Sequence, residues 1–258
     1  MSSLFSLEGK TAVITGSTRG IGYAIATEMA KAGANIVVSS RKAPACETVA
    51  AEINATVGRD AASPCAASLS DKDALQALVD HANTTFGQID ILVCNAASNP
   101  YYGALSDIPD DKFRKILDNN IIANNWLIGM VTPQMRDRQD GAVIIISSIG
   151  GLVGSPVIGA YNISKAADMQ LARNLAVEHG AHNIRVNCIA PGLIKTDFSK
   201  ALWDDPETYG TYMRTTPLRR AGETTEIAGA AVFLAAPAGA FVTGQTIVVD
   251  GGTTIQGV

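Results

Sequence analysis

Apolar and polar positions along the chain fall into two alternating patterns. Short runs rich in Val and Ile lie at 11–15, 35–40, 89–95, 142–147, 184–190 and 246–250, with a weaker candidate at 61–65. Val143-Ile144-Ile145-Ile146 has no polar position at all, which fits a strand buried on both faces rather than one facing water. Between the runs lie stretches with helical spacing, at 21–32, 44–57, 71–86, 110–135, 160–179 and 224–236. Strands alternating with helices of this length predict an α/β fold, a doubly wound parallel sheet of seven strands with helices on both faces.

The punctuation agrees. Ser70-Asp71 and Pro109-Asp110 read as helix starts, and Gly33, Gly58, Gly87 and Gly180 as stops. No repeat and no Pro/Gly/Ser linker divides the 258 residues, so a single domain over 1–258 is expected. The stretch 192–222 holds no clear strand and contains Trp203, Asp204, Asp205 and Pro206. It reads as an insertion near the site, either a short helix with a mobile lid or a packed surface excursion.

Composition narrows the function classes. Hydrophobic residues are 47% and charged residues 17% of the chain, as in a globular protein. A net charge of −4 argues against nucleic acid as the partner. Cys46, Cys65, Cys94 and Cys188 form no C-x-x-C pair, and His179 and His182 are separated by Gly180, so no metal site is expected. No apolar run reaches the roughly 18 residues of a membrane-spanning helix. The first residues do not resemble a signal peptide and the last carry no targeting tripeptide, so a cytoplasmic address is expected.

Chemistry enters at Thr15-Gly16-Ser17-Thr18-Arg19-Gly20-Ile21-Gly22, directly after the first apolar run and opening the first helical stretch. Glycines allow a sharp turn and close approach to a pyrophosphate, which the helix N-terminus favours. The candidate dinucleotide contacts are therefore Gly16, Ser17, Thr18, Arg19, Gly20, Ile21 and Gly22. The second run ends Ser39-Ser40-Arg41-Lys42, without the acid that binds ribose hydroxyls in NAD-type sites. Ser40, Arg41 and Lys42, with Arg19, would instead receive a 2′-phosphate, so NADP(H) is preferred.

Tyr161 and Lys165 stand at i and i+4 on one helix face. Ser148 follows the long buried run, at the strand edge where ligands bind. A free phenol ionises near pH 10. A neighbouring ammonium, or a cationic nicotinamide ring, would lower that.

Together the loop from Thr15 to Gly22, Asn95-Ala96-Ala97, Asn120, Ser148, the Tyr161/Lys165 pair and Pro191-Gly192 resemble the short-chain dehydrogenase/reductase superfamily, from Leu7 to Gly252. The resemblance implies a Rossmann-type fold and a hydride transfer between NADP(H) and a carbonyl or secondary alcohol. It implies Tyr161 as general acid or base, Lys165 lowering its pKa and binding the nicotinamide ribose, and Ser148 holding the carbonyl. Asn120 would keep a water linking Lys165 to solvent. Asn95 and Ala96 would lie beside the adenosine ribose, and Pro191, Gly192, Ile194 and Thr196 near the carboxamide. Ser39 to Lys42, Asn95 to Pro100 and Ala190 to Thr196 look like the NADP-dependent carbonyl (retinal-type) reductases of the dehydrogenase/reductase member 4 group. The 3-oxoacyl-ACP reductases are the other near relatives. Ala97 replaces a glycine usual in the superfamily, as in that reductase group, and Ser68 stands near where many members bind adenine through Asp.

Three further expectations follow. Asn119, Asn124 and Asn125 crowd around Asn120 and are read in part as polar groups of a subunit interface, since the superfamily commonly forms homodimers or homotetramers. Asn99, Tyr101, Tyr102, Leu152, Pro156 and Trp203 are candidate substrate-wall residues. Beside a ketone or aldehyde reductase, the alternatives are a 3-oxoacyl thioester reductase, with Arg136, Arg138, Arg219 and Arg220 as an acyl-carrier patch, and a catalytically silent NADP-binding regulator.

Overall fold

A computed structural model describes residues 3–256. The strands are β1 (Thr11–Thr15), β2 (Asn35–Ser39), β3 (Ala62–Pro64), β4 (Ile91–Cys94), β5 (Gly141–Ile146), β6 (Ile184–Pro191) and β7 (Thr246–Val249). They form one seven-stranded sheet in the order β3-β2-β1-β4-β5-β6-β7, and each neighbouring pair is parallel. The helices are α1 (Gly20–Lys31), α2 (Ala43–Val57), α3 (Lys72–Phe86), α4 (Asp110–Leu117), α5 (Ala123–Arg138), α6 (Gly159–His179), α7 (Lys200–Trp203), α8 (Pro206–Thr215) and α9 (Thr224–Ala235).

Side chains alternate across a strand, and the apolar runs are uninterrupted because both faces are covered. On one face Ile14, Ile36, Val38, Val93 and Ile144 pack beneath α1, α2 and α9, through residues such as Ile25, Met29, Ile53 and Leu234. On the other, Val13, Val37, Leu92, Val143 and Val186 pack beneath α3, α5 and α6, through Leu75, Leu78, Leu127 and Met169. Strand order reverses between β1 and β4, and in such sheets the crevice at the carboxyl ends of those strands binds ligands.

Three local features depart from the sequence reading. The single helix expected over 110–135 is interrupted at Asp118–Ile122 by a π-turn, and the helical path continues to Arg138. A π-turn inserts a residue into the ladder and is a common feature of functional sites; this one contains Asn120. Gly180 does not end α6 in a left-handed conformation, since a 3-10 turn continues the helix and Asn183 takes the positive φ of 56°. The 192–222 stretch folds as a 3-10 turn followed by α7 and α8. It packs on its own small core of Leu193, Met213 and Ala221 with Trp203, Tyr209 and Tyr212. Among the described residues no helix is long and apolar enough to cross a membrane, and no cluster of His, Cys, Asp or Glu is placed to hold a metal.

Candidate active site

The loop after β1 is shaped by close backbone approach. Gly16 has φ of 65°, and a Cβ there would lie 3.0 Å from both the Ala96 Cβ and the Asn95 amide. A Cβ on Gly22 would overlap the Gly16 carbonyl oxygen and meet the Asn95 amide at 2.5 Å. Asn95 fastens this turn to the end of β4, its amide donating to the carbonyls of Thr15 (2.9 Å) and Gly16 (3.1 Å). The backbone N–H groups of Asn95 and Ala96 in turn donate to the Thr15 hydroxyl. Arg19 precedes α1 without a side-chain cap, which leaves the helix N-terminal N–H groups and their dipole for an anion. Glycines at the tight approaches and an uncapped N-terminus fit a pyrophosphate.

Ser17 departs from its expected role. It is fully buried. Its hydroxyl donates to the Ile14 carbonyl (2.8 Å) and accepts from the Ser39 N–H (2.9 Å), and its own N–H donates to the Ser39 carbonyl (3.0 Å). Ser17 is thus a strut between loop and β2, with no donor left for a phosphate. A small hydroxylated residue beside a glycine loop gives no sign of which way it faces.

Thr18 and Ile21 are partly buried on the loop side of α1, and Arg41 and Lys42 are exposed just after β2. The Ser40 hydroxyl lies 3.3 Å from the Cys46 sulfur. Arg19 is 72% exposed and only 3.8 Å from Asp197, also exposed, a weak surface pair that leaves the guanidinium available. Arg19, Tyr23, Thr48 and Glu52 border an open groove of about 490 Å³ between α1 and α2.

Pro191 ends β6, and Gly192 follows where a Cβ would lie 2.7 Å from the Asp250 Cα. The Ile194 side chain is buried in the core, so any contact it makes with a ligand is through its backbone. Thr196 accepts from the Ser199 N–H, and its methyl would be 3.4 Å from a Cβ on Gly20, which sets it against the loop.

Tyr161, Ser148 and Lys165 converge at the carboxyl edge of β5. Ser148 lies close enough to the Tyr161 phenol to act on it. The Ser148 oxygen also accepts from the Gly150 N–H (3.0 Å). The Lys165 Nζ stands 5.6 Å from the centre of the Tyr161 ring. It is 2% exposed, and donates to the Ile146 carbonyl (2.8 Å) and to the Asp168 carboxylate (2.9 Å), itself 0% exposed. Two of the three ammonium protons are therefore taken.

This pairing changes the electrostatics expected of the site. Burial pushes the Tyr161 phenol up; Lys165 pulls it down, Asp168 pushes it back up, Ser148 lowers it again, and the net direction is upward. From the sequence, the Lys165 ammonium is expected to make Tyr161 more acidic. Its charge is instead balanced by a buried carboxylate. Burial would lower Lys165, but Asp168 and Tyr161 drive it upward.

Asn120, in the π-turn, is fully buried. Its side chain donates to the Ser98 carbonyl (3.1 Å) and the Ser164 hydroxyl (3.0 Å) and accepts from the Ser98 N–H (2.9 Å). Its backbone carbonyl accepts from the Asn124 amide (2.6 Å), which also reaches Asp168 (3.3 Å). Asn120 and Lys165 are thus linked through protein groups as well, Asn124 and Asp168. Asn119 and Asn124 are buried and bonded inward, Asn119 to the Ser98 hydroxyl (3.0 Å), so neither is a surface interface group; Asn125 is exposed.

Asp168 was not anticipated, and Asn124, read as an interface group, belongs to this network instead. The available signal was an acid three residues beyond Lys165 on the buried stripe of α6. Among the expected wall residues Tyr102 and Leu152 are exposed. Tyr101 donates back to the Ala104 carbonyl and Trp203 to the Thr196 carbonyl. Phe198, with its ring centroid 6.2 Å from that of Tyr161, is an unanticipated neighbour of the site.

Comparison with known proteins agrees with this geometry. A family model described as enoyl-(acyl carrier protein) reductase matches residues 16–254. The human dehydrogenase/reductase SDR family member 4 is 41% identical over 247 residues, covering 96% of this chain and 88% of that protein. A 7α-hydroxysteroid dehydrogenase solved with NADH and 7-oxo glycochenodeoxycholic acid superposes with a TM-score of 0.93 at 38% identity, covering 98% of this chain and 97% of that one. A gluconate 5-dehydrogenase from Burkholderia cenocepacia, solved with NADP and tartrate, does so with 0.94 at 32%, covering 99% of each. With its parallel seven-stranded sheet, glycine-shaped turn and Ser148-Tyr161-Lys165 cluster, the chain belongs to the short-chain dehydrogenase/reductase family.

Proposed function

We propose that the chain is an NADP(H)-dependent oxidoreductase that interconverts a carbonyl compound and a secondary alcohol, with Tyr161 as the proton-transfer group. The observation that carries this reading is the convergence of Ser148, Tyr161 and Lys165 at the carboxyl edge of β5, in a sheet whose β1 leads into the glycine turn. A nicotinamide dinucleotide held by the glycine turn and Lys165 would supply or accept the hydride. Ser148 accepts from Gly150, which leaves its own proton to donate to a carbonyl oxygen. Tyr161 gives its phenolic proton to the same oxygen in reduction and takes one from the hydroxyl in oxidation. Lys165 stabilises the phenolate and has one N–H left for the site.

NADP(H) is favoured over NAD(H) by Arg41, Lys42 and Arg19 around a β2 end without an acid. The two solved relatives divide on this point, one carrying NADH and the other NADP. Arg41→Ala is expected to raise the KM for NADPH at least about tenfold, the value of one charge-assisted hydrogen bond, and to leave the KM for NADH within about twofold. Equal effects on both would refute the phosphate assignment.

A simple ketone or aldehyde is favoured over an acyl-carrier thioester. Three of the four arginines proposed as a docking patch are committed to the protein itself. Arg138 donates to the Ile89 carbonyl and lies near Asp90, Arg219 donates to the Met213 and Arg214 carbonyls, and Arg220 pairs with Glu226. The test is loss of the reduced-nicotinamide absorbance when NADPH and the enzyme meet a panel of ketones, aldehydes and 3-oxoacyl thioesters. Turnover of ketones or aldehydes is expected. Tight NADPH binding with no turnover across the panel would favour a silent regulator.

A further inference from the structure

Resting on the proton-transfer role given to Tyr161, one buried group stands out: the Asp168 carboxylate, which takes no part in the steps above. One of its oxygens accepts from the Lys165 ammonium (2.9 Å), the other from the Asn124 amide (3.3 Å). That amide also donates to the Asn120 carbonyl (2.6 Å). The network thus ties α6 to α5 and to the π-turn, and it holds Lys165 against the Ile146 carbonyl of β5.

We propose that Asp168 is a positioning residue of the catalytic pair: its carboxylate anchors the Lys165 ammonium beside Tyr161 and balances its charge, so that Tyr161 keeps its proton to a higher pH than Lys165 alone would allow. An unpaired ammonium at this depth would have a strong preference for an adjacent phenolate, or would shed its own proton. Burial pushes the Asp168 carboxyl up, and Lys165 and the Asn124 amide pull it back only in part. With the carboxylate paired to the ammonium, the Tyr161/Lys165/Asp168 group is neutral and the first proton leaves it against the negative charge of Asp168. The other groups facing it do not supply such a charge. Burial and Asp168 push the Cys94 and Cys188 thiols, on β4 and β6, far up, so both stay protonated. Cys188 donates to the Asp168 backbone carbonyl (3.4 Å). Ser148 and Asn124 are uncharged, Tyr102 is an exposed phenol, and Arg173 is exposed, donates to Gln170 and lowers Cys188. Holding the phenol protonated keeps a proton donor ready for carbonyl reduction over a wider pH range.

The test replaces the charge and keeps the shape. In the nucleotide-free protein, tyrosinate absorbance is titrated for the wild type and for Asp168→Asn. Each is read as a difference from the same protein carrying Tyr161→Phe, which isolates Tyr161. The midpoint in Asp168→Asn is expected to fall by about one pH unit, and Asp168→Glu to stay close to the wild type. In the loaded enzyme the alkaline fall of reduction and the acid limb of oxidation should move down together, because both directions share one transition state. A downward shift smaller than about half a unit, an upward shift, or a Glu variant that moves as far as the Asn variant overturns the proposal. Should Asp168→Asn not fold, carbon-13 resonances of the aspartate carboxyls in the wild type decide the matter. Asp168 ionised from about pH 6 to about pH 9 is expected, and a protonated carboxyl at neutral pH overturns the proposal. The titration needs neither nucleotide nor carbonyl, so its failure removes the role of Asp168 and leaves the oxidoreductase reading standing. A wild type that oxidises NADPH with no carbonyl removes that reading instead.

Discussion

Replacing Tyr161 by Phe is expected to lower kcat at least about a thousandfold while the NADPH dissociation constant stays within about threefold. The size follows from the task. A positioned general acid contributes roughly a hundred- to ten-thousandfold, and a thousandfold is about 4 kcal/mol of transition-state stabilisation. Phe keeps the ring that lies 5.6 Å from the Lys165 ammonium and 6.2 Å from the Phe198 ring, so packing on α6 is preserved. Only the hydroxyl is lost. A variant keeping more than a tenth of wild-type kcat would take Tyr161 out of the proton-transfer role. Steady-state kinetics beside a fluorescence titration of NADPH separates the two effects.

The second large effect is expected at the phosphate turn. Gly22→Ala adds one carbon, and that carbon would overlap the Gly16 carbonyl oxygen and press on the Asn95 amide. Neither neighbour can yield easily. Gly16 already has φ of 65° and stands 3.0 Å from Ala96 and Asn95 at its own would-be Cβ, and Asn95 holds both Thr15 and Gly16. Overpacking of this kind costs about 1–3 kcal/mol. Because it falls on the turn that would receive the pyrophosphate, nucleotide binding should weaken by about a hundredfold, with the helical circular dichroism signal retained. At about 1.4 kcal/mol per decade this is close to 3 kcal/mol. An NADPH dissociation constant within about threefold of the wild type would show that the turn does not carry the phosphates.

Much of this was legible in the sequence, for identifiable reasons. The central strands read clearly because a sheet covered on both faces requires every position to be apolar, as Val143 to Ile146 are. The edge strand β3 was faint because only three residues, ending at Pro64, pair with β2. The glycine turn and the Tyr161/Lys165 spacing were visible because local geometry alone brings those residues together. What was hidden depended on tertiary partners. Nothing in the run from Asp110 onward marks the π-turn at Asp118–Ile122, since polar Asn119 and Asn120 find their acceptors and donors on Ser98 and Ser164, far along the chain. The inward turn of Ser17 depends on β2. Asp168 looked like one more polar residue of a long helix. Its carboxylate turns Lys165 from a free cation into half of an ion pair; Tyr161's own burial, the larger cause, together with Asp168 then pushes the phenol up rather than down.

The destination of the hydride is the most direct test of the proton- and hydride-transfer roles. NADPH deuterated at the transferring nicotinamide carbon, given to the enzyme with a ketone that it consumes, should yield alcohol carrying deuterium on the carbinol carbon, with the new hydroxyl proton drawn from solvent. NADPH oxidation without deuterium in the alcohol, or an alcohol labelled equally by the Tyr161→Phe variant at an undiminished rate, would contradict it.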